Sequence, residues 1–443
     1  MPSPPNNLGL ALSGGGYRAS AFHLGTLKKL NELNILGKVD VISTISGGSI
    51  TGAAWGLHEG DYDSFHTRMV ENLKTKSVIK QVLTSSIFIF TILFALVFLG
   101  GAILLTFTRW APFALVVLVL FFILLLKWQF KIFPVSRVIE KAYNKFFYGG
   151  KCLGDLKAKP IFAIGSSNLH TGRPFTFSKM RMSDSTYSSP SSYDPPIKFL
   201  QEKFPVARAV TASSCVPFAF TPVRIDKEFY QTASDYDRIN PQLVDGGVYD
   251  NQGIQKITQP KSSYECKMII TSDAGGNFKA NLKYGNTISL LMRTVNLFMH
   301  RIKAFQMVQN VYGNAEGKAQ PIAYFSLGWE IQNCIPGFIQ NMVEGQVINE
   351  VIEAQKLQPE WIKDPTKFRK EIHQQLERNV GYENIWKRNL SREEWQLACS
   401  TGTNLTPLPA KRLDCLIRHA ENLTELQVKL YCPSLIDAGI KVY

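Results

Sequence analysis

The spacing of apolar positions along the chain changes several times, and each change marks an element. Residues 8–12 (LGLAL) form a short unbroken apolar run, as in a buried strand, and lead into Ser13-Gly14-Gly15-Gly16-Tyr17-Arg18. From 19 to 33 the apolar residues Phe22, Leu24, Leu27, Leu30 and Leu33 recur at helical spacing. The same order then repeats. Val39, Val41, Ile42 and Ile45 lead to Ser46-Gly47-Gly48-Ser49, and Ala53, Ala54 and Leu57 continue as a small-residue helix. Successive strand–turn–helix units predict a parallel α/β sheet, whose sites form at the carboxyl ends of its strands. Further strands are expected at 159–165 and 266–272, with a hairpin turning at Thr171-Gly172 and a surface loop over 183–196. A small-residue helix is expected from 205 to about Pro217, and QLVDGGVYD (242–250) sets Asp245 at the end of a short apolar run. Beyond about 280 the spacing is mostly helical: long and amphipathic over 288–311, charged over 360–395, and closing over 413–431.

One block breaks this pattern. No charged residue lies between Lys80 and Arg109, and after Arg109-Trp110-Ala111-Pro112 a second apolar run extends to Lys127. The first stretch meets the roughly 20 residues that span a bilayer, and the second is just long enough. Two such stretches around a Pro-containing break predict a transmembrane or re-entrant helical hairpin over 85–131. Lys74, Lys76 and Lys80 precede it and Lys127, Lys131, Arg137, Lys141 and Lys145 follow, whereas the tip carries only Arg109. That asymmetry predicts an integral membrane protein with both ends, and the globular part, facing the cytoplasm. The hairpin divides the chain into 1–84 and 132–280, the two parts of one α/β domain, and a mainly helical region over 281–443.

Composition narrows the partner class. The 443 residues carry a formal net charge of +14, which suits nucleic acid or an anionic membrane surface. No basic run with interleaved aromatics accompanies it, so a lipid bilayer is expected and nucleic acid is not. The seven cysteines are scattered without a C-x-x-C pair, which argues against a disulfide framework or zinc site. The N-terminal MPSPPNNLGL has no basic segment followed by an apolar one, so no cleaved signal peptide is expected.

Two stretches carry candidate chemistry. Gly14, Gly15 and Gly16 at a helix start leave backbone N–H groups open to an anion. The third glycine of G-x-G-x-x-G is absent, and no G-x-x-x-x-G-K-[ST] occurs. An oxyanion hole for acyl transfer and a plain structural turn remain as readings. Thr44-Ile45-Ser46-Gly47-Gly48 has the form of a G-x-S-x-G nucleophile elbow with Thr44 replacing the first glycine, at a strand–helix junction.

SGGGYRASAFHLGTLKKL, STISGGSITGA, ARAVTASSCVPFAF and LVDGGVYDN, in this order, resemble the patatin-like phospholipases over about 8–276, apart from the membrane block. The resemblance implies a three-layer α/β/α fold with a mainly parallel central sheet. It implies a Ser-Asp dyad, with Ser46 as nucleophile and Asp245 as the base. It implies oxyanion donors at Gly14, Gly15, Gly16 and Gly47, and Arg18 as support for the loop or the lipid phosphate. The substrate implied is a membrane phospholipid or lysophospholipid ester, with no cofactor and no metal. Two features depart from the family pattern: Ser13 stands where many members have an acidic residue, and Thr44 stands at the elbow. The alternatives are a catalytically silent membrane scaffold, or an acyltransferase or neutral-lipid lipase on the same dyad. None of the histidines at 23, 58, 66, 170, 300, 373 and 419 suggests a third catalytic member, and His170 is expected at the surface. Asp250 and Asp273 are expected to cap turns after strands.

Overall fold

A computed structural model describes residues 6–190, 195–276, 285–313 and 320–436. The expected 280/281 boundary, part of the 183–196 loop and the first five residues lie outside this set.

Alternating side chains explain the sheet. In β1 (Asn6–Leu12), Leu8, Leu10 and Leu12 enter one core while Ala11 enters another, and in β2 (Val41–Ile45) Ile42 and Val41 divide in the same way. Successive strand residues point to opposite faces, so a strand buried on both sides is apolar along most of its length. The larger core takes α1 (Gly16–Glu32), α2 (Gly47–Leu57) and the C-terminal helix Ala410–Tyr431; the smaller takes Ile254 and Ile257. The result is a sheet covered on both faces.

The remaining strands are β3 (Ile161–Asn168), β4 (Arg173–Phe177), β5 (Met182–Ser183), β6 (Val223–Arg224), β7 (Gln242–Asp245), β8 (Cys266–Asp273) and β9 (Ile322–Ser326). The main order is β5-β4-β3-β2-β1-β8-β9, with β3, β2, β1, β8 and β9 mutually parallel. β4 runs antiparallel to β3, as the expected hairpin requires. β7 also pairs antiparallel with β3. β9 belongs to the region expected to be mainly helical: its five residues are all buried against β8.

The apolar block forms two helices, α3 (Ser86–Thr106) and α4 (Pro112–Ile132), joined by a tight turn. They pack on each other through Phe94, Phe98 and Phe121, with Phe98 and Phe121 stacked at 5.7 Å. Both are long and apolar enough to cross a membrane, and almost none of either is covered by the rest of the protein. Phe107 is 84% exposed and Leu126 77%. α5 (Val135–Tyr143) follows and packs against the short helix Val78–Leu83 that precedes the block, so both ends return to one place.

Two expectations change. The helix expected from 205 to about Pro217 is α6 (Val206–Ser213) and stops four residues early, because Pro217 has no amide to donate to Ser213 O, which accepts from Gly246 N instead, and disfavours helical backbone at the residue before it. The 288–311 segment forms α7 (Thr287–Gln306), of whose residues only Gln306 is buried, and continues in a further helical turn (Met307–Tyr312) where Met307 and Val311 pack against the smaller core.

Candidate active site

Strand register builds the site. Leu12 lies opposite Thr44 across β1 and β2, which brings Gly14 level with Ser46 two residues later. Ile45 lies opposite Gly165, and the next residue of β3, Ser166, lies opposite Asp245 on β7. Gly14, Ser46 and Asp245 therefore occupy one row across the sheet. The glycine loop and Ser46 reach it from the carboxyl ends of parallel strands. Asp245 enters from the opposite direction because β7 is antiparallel.

Ser46 has φ 48° and ψ −113°, a conformation that L-residues rarely hold. Such strain costs on the order of 1–3 kcal/mol and persists only where the surroundings enforce it. Several contacts do so. The Ser46 amide donates to Ser213 Oγ at 2.9 Å, and Ser49 Oγ joins Ser213 Oγ at 2.9 Å and donates to Thr44 Oγ1 at 3.0 Å. The Thr44 departure is resolved in the same place. Its methyl group fills the space beside Gly52, where an added Cβ would fall 2.5 Å from Thr44 Cγ2. The bulk lost from the helix accommodates the bulk gained in the strand.

Asp245 is buried, and its carboxylate accepts from Gly247 N at 2.7 Å and from the Ser46 side chain. Burial pushes its pKa from 3.8 up to about 6, with the hydrogen bonds from Gly247 and Ser46 pulling the other way. Its backbone is fixed from α6: the Asp245 amide donates to Cys215 O at 2.8 Å and the Gly246 amide to Ser213 O at 3.1 Å. One short segment, 213–215, thus holds both Ser46 and Asp245.

The loop amides divide unequally. Gly14 N donates to Asn251 O at 2.9 Å, so this amide is occupied, contrary to the expectation that all three glycines present free donors. Among the described residues no acceptor meets Gly15 N, Gly16 N or Gly47 N. Gly47 rests directly on Gly16, and a Cβ there would run into the Gly16 carbonyl oxygen. Two helix starts, α1 at Gly16 and α2 at Gly47, thereby meet beside Ser46, and their partial positive charges add. Arg18 holds the loop from behind: its guanidinium lies beside Gly15 and donates to Thr401 O at 3.2 Å.

The rival groups have other occupations. Asp250 accepts from Gln252 N, Gly253 N and Gln255 N, capping the helix Ile254–Thr258. Asp273 accepts from Gly275 N at 2.7 Å and from Tyr324 Oη, and pairs with Lys303; the lysine's charge holds it at about 2 against the opposing effect of burial. His23 is buried between Ser272 Oγ and Ser13 O at 2.9 Å each, and burial lowers its pKa to about 4, so it is a neutral tie for the glycine loop. His170 is exposed and bonded to Tyr187 Oη at 2.7 Å.

Sequence reasoning missed Ser213, Cys215 and Asn251. All three lie inside the motifs already singled out, in TASSC and VYDN, and their polarity beside apolar neighbours was the available signal.

A family model described as patatin-like phospholipase matches residues 10–255. The chain belongs to that family. Solved structures similar in overall shape include human GIVD cytosolic phospholipase A2, at TM-score 0.48 and 12% identity, covering 97% of this chain and 63% of that one. The same human protein, complexed with methyl gamma-linolenyl fluorophosphonate and terbium chloride, aligns at TM-score 0.45 and 13% identity, over 97% and 59%. VipD from Legionella pneumophila aligns at 0.32 and 12%, over 99% and 92%. The chain thus spans less than two thirds of the human enzyme's length. A search of curated proteins gave no match.

Proposed function

We propose that the protein is a membrane-bound serine lipid acyl hydrolase that cleaves fatty-acyl esters of phospholipids or lysophospholipids. Ser46 Oγ attacks the ester carbonyl while its proton passes to the Asp245 carboxylate. Gly15 N, Gly16 N and Gly47 N receive the oxyanion, with Gly14 and Arg18 holding their loop. Collapse of the tetrahedral intermediate releases the alcohol, which takes the proton from Asp245, and leaves an acyl-Ser46 ester. Water, deprotonated by Asp245, then frees the fatty acid.

The observation that carries this reading is the contact of Ser46 with Asp245, a carboxylate raised to about 6 by burial. A serine needs a neighbouring base, and a base effective near neutrality needs a raised pKa. Each oxyanion donor is worth on the order of 10²–10³ in rate. Family membership supports the substrate class. The exposed apolar surfaces of α3 and α4 support a membrane location, since patches of that extent are not left to water. The flanking lysines and arginines support a cytoplasmic site.

A fluorophosphonate probe tests it. Wild-type protein is expected to label covalently and Ser46→Ala to remain unlabelled, with hydrolysis of a phospholipid lost in parallel. Equal labelling of both proteins overturns the assignment of Ser46.

A further inference from the structure

A cavity of about 440 Å³ opens where α4 gives way to α5, and its charges are unbalanced. Arg208 on its wall is already paired, through Nε with both oxygens of Glu140 at 3.1 Å and through Nη1 with Asp226 at 2.6 Å. Among the described residues, those two carboxylates are the only acidic groups lining it. Lys131, Arg137 and Arg224 also line it, and among the described residues none has a carboxylate within ion-pair distance. Like charges gathered in a concave site repel one another and raise the local concentration of anions.

We infer that this cavity holds the phosphate of an anionic phospholipid, bound as a resident ligand and not as substrate. The inference rests on the membrane reading above. Three observations favour a lipid over a soluble anion. Trp128 and Phe130 line the same cavity, giving its cationic rim an aromatic side. The wall continues into the apolar surface of α4, where Leu126 and Phe130 are 77% and 54% exposed and lie where acyl chains would run. A Trp and lysines at the end of an apolar helix are the residues that sit at headgroup level.

The cavity also reaches the catalytic strand. Gln242 lines it and begins β7, which ends at Asp245. Ser136, which also lines it, lies 3.5 Å from Cys215 Sγ through its Oγ, and Cys215 O receives the Asp245 amide. A headgroup bound here braces the strand that carries Asp245.

The test uses full-length protein in detergent and diether phosphatidylglycerol, which has no acyl ester to cleave, with binding followed by native mass spectrometry. Wild type is expected to bind it in preference to diether phosphatidylcholine. Lys131→Gln/Arg137→Gln/Arg224→Gln should weaken binding by roughly tenfold to a hundredfold. Lys74→Gln/Lys76→Gln/Lys80→Gln removes the same charge from the other end of the hairpin and should stay within about twofold of wild type. Fluorophosphonate labelling and an unchanged melting temperature check that each variant is folded. Equal losses in the two triple variants would mean diffuse attraction and overturn the site, as would equal binding of phosphatidylcholine. Displacement by millimolar inorganic phosphate would overturn the lipid assignment in favour of a soluble anion. Carbonate extraction of the wild type judges the membrane reading separately: release from membranes with selective binding retained would sink that reading and leave an anion site.

Discussion

The amide of Ser46 donates to the hydroxyl of Ser213 at 2.9 Å, and that bond ties the strained elbow to the segment that also fixes Asp245. Ser213 touches no reacting atom, so its effect is one of positioning. Ser213→Ala is expected to lower kcat by about tenfold with KM within about twofold, and to cost roughly 1 kcal/mol of stability. Ser213→Thr keeps the hydroxyl and should recover most of the rate. Steady-state kinetics on a soluble ester checks this; a rise in KM with kcat unchanged would assign Ser213 to substrate binding.

A second expectation concerns pH. Burial raises Asp245 to about 6, and the base form is the ionised one. The rate should therefore climb as pH rises through about 6 and then level off. His23 is held neutral and tied to Ser13 and Ser272, so His23→Gln should leave that midpoint in place even if the protein is less stable. A midpoint that moved with a histidine substitution would make the base a histidine.

The same shift has a consequence for stability, with the sign opposite to that of a salt-bridged carboxylate. The folded state holds the Asp245 proton more tightly than the unfolded chain, whose carboxyl titrates near 3.8. Stability linked to this group therefore rises as pH falls from about 6 toward 4, and above about 6 the buried charge is a standing cost. Asp245→Asn removes that cost and retains an oxygen to accept from Gly247 N. At pH 8 its melting temperature should equal or exceed that of wild type while hydrolysis is abolished, and the difference should shrink toward pH 5. A large loss of stability at pH 8 would contradict this account of the burial.

Much of this site was legible because each part is a local pattern. The glycine loop, the Ser46 turn and the Asp245-Gly246-Gly247 turn each announce themselves within a few residues. What stayed hidden depends on pairing between distant segments. Nothing near Asp245 in the chain says that β7 runs antiparallel and delivers the carboxylate from the far side of the row. Nothing near Gly14 says that Asn251 O will occupy its amide. β9 was obscured because it lies between long helical stretches, and five buried residues are too few to set a period of their own. The paired helices α3 and α4 were legible for the opposite reason: each is one uninterrupted helix of 21 residues, apolar over most of its length, and declares itself without reference to any partner segment.

Close approach makes a sharp test of the oxyanion donors. A methyl group at Gly47 would meet the Gly16 carbonyl oxygen, so Gly47→Ala should push apart the two helix starts that present the free amides. Activity is expected to fall by roughly two orders of magnitude, about the worth of one donor. Thermal melting separates this from unfolding. A folded variant within a few-fold of wild-type activity would remove Gly47 and Gly16 from the oxyanion site.

The hairpin can be tested by removing it, because the structure provides for its ends. The helix Val78–Leu83 before it packs against α5 after it, so a short linker can join them without disturbing either. Almost all the apolar surface of α3 and α4 faces outward, so their removal deprives the catalytic domain of little core. Replacing residues 85–131 by a short Gly/Ser linker is expected to give a soluble domain. It should still cleave a short-chain ester, because Ser46, Asp245 and the glycine loop lie outside the removed segment, and should act poorly on bilayer lipid. The full-length protein should stay with membranes through high-salt and carbonate washes. A cysteine at Arg109, the sole charged residue at the tip, should react with an impermeant reagent from the side opposite the catalytic domain. Release by salt alone would defeat the membrane reading. Labelling of that cysteine only from the catalytic side would instead make α3 and α4 a re-entrant pair, holding the active site at the surface without crossing it.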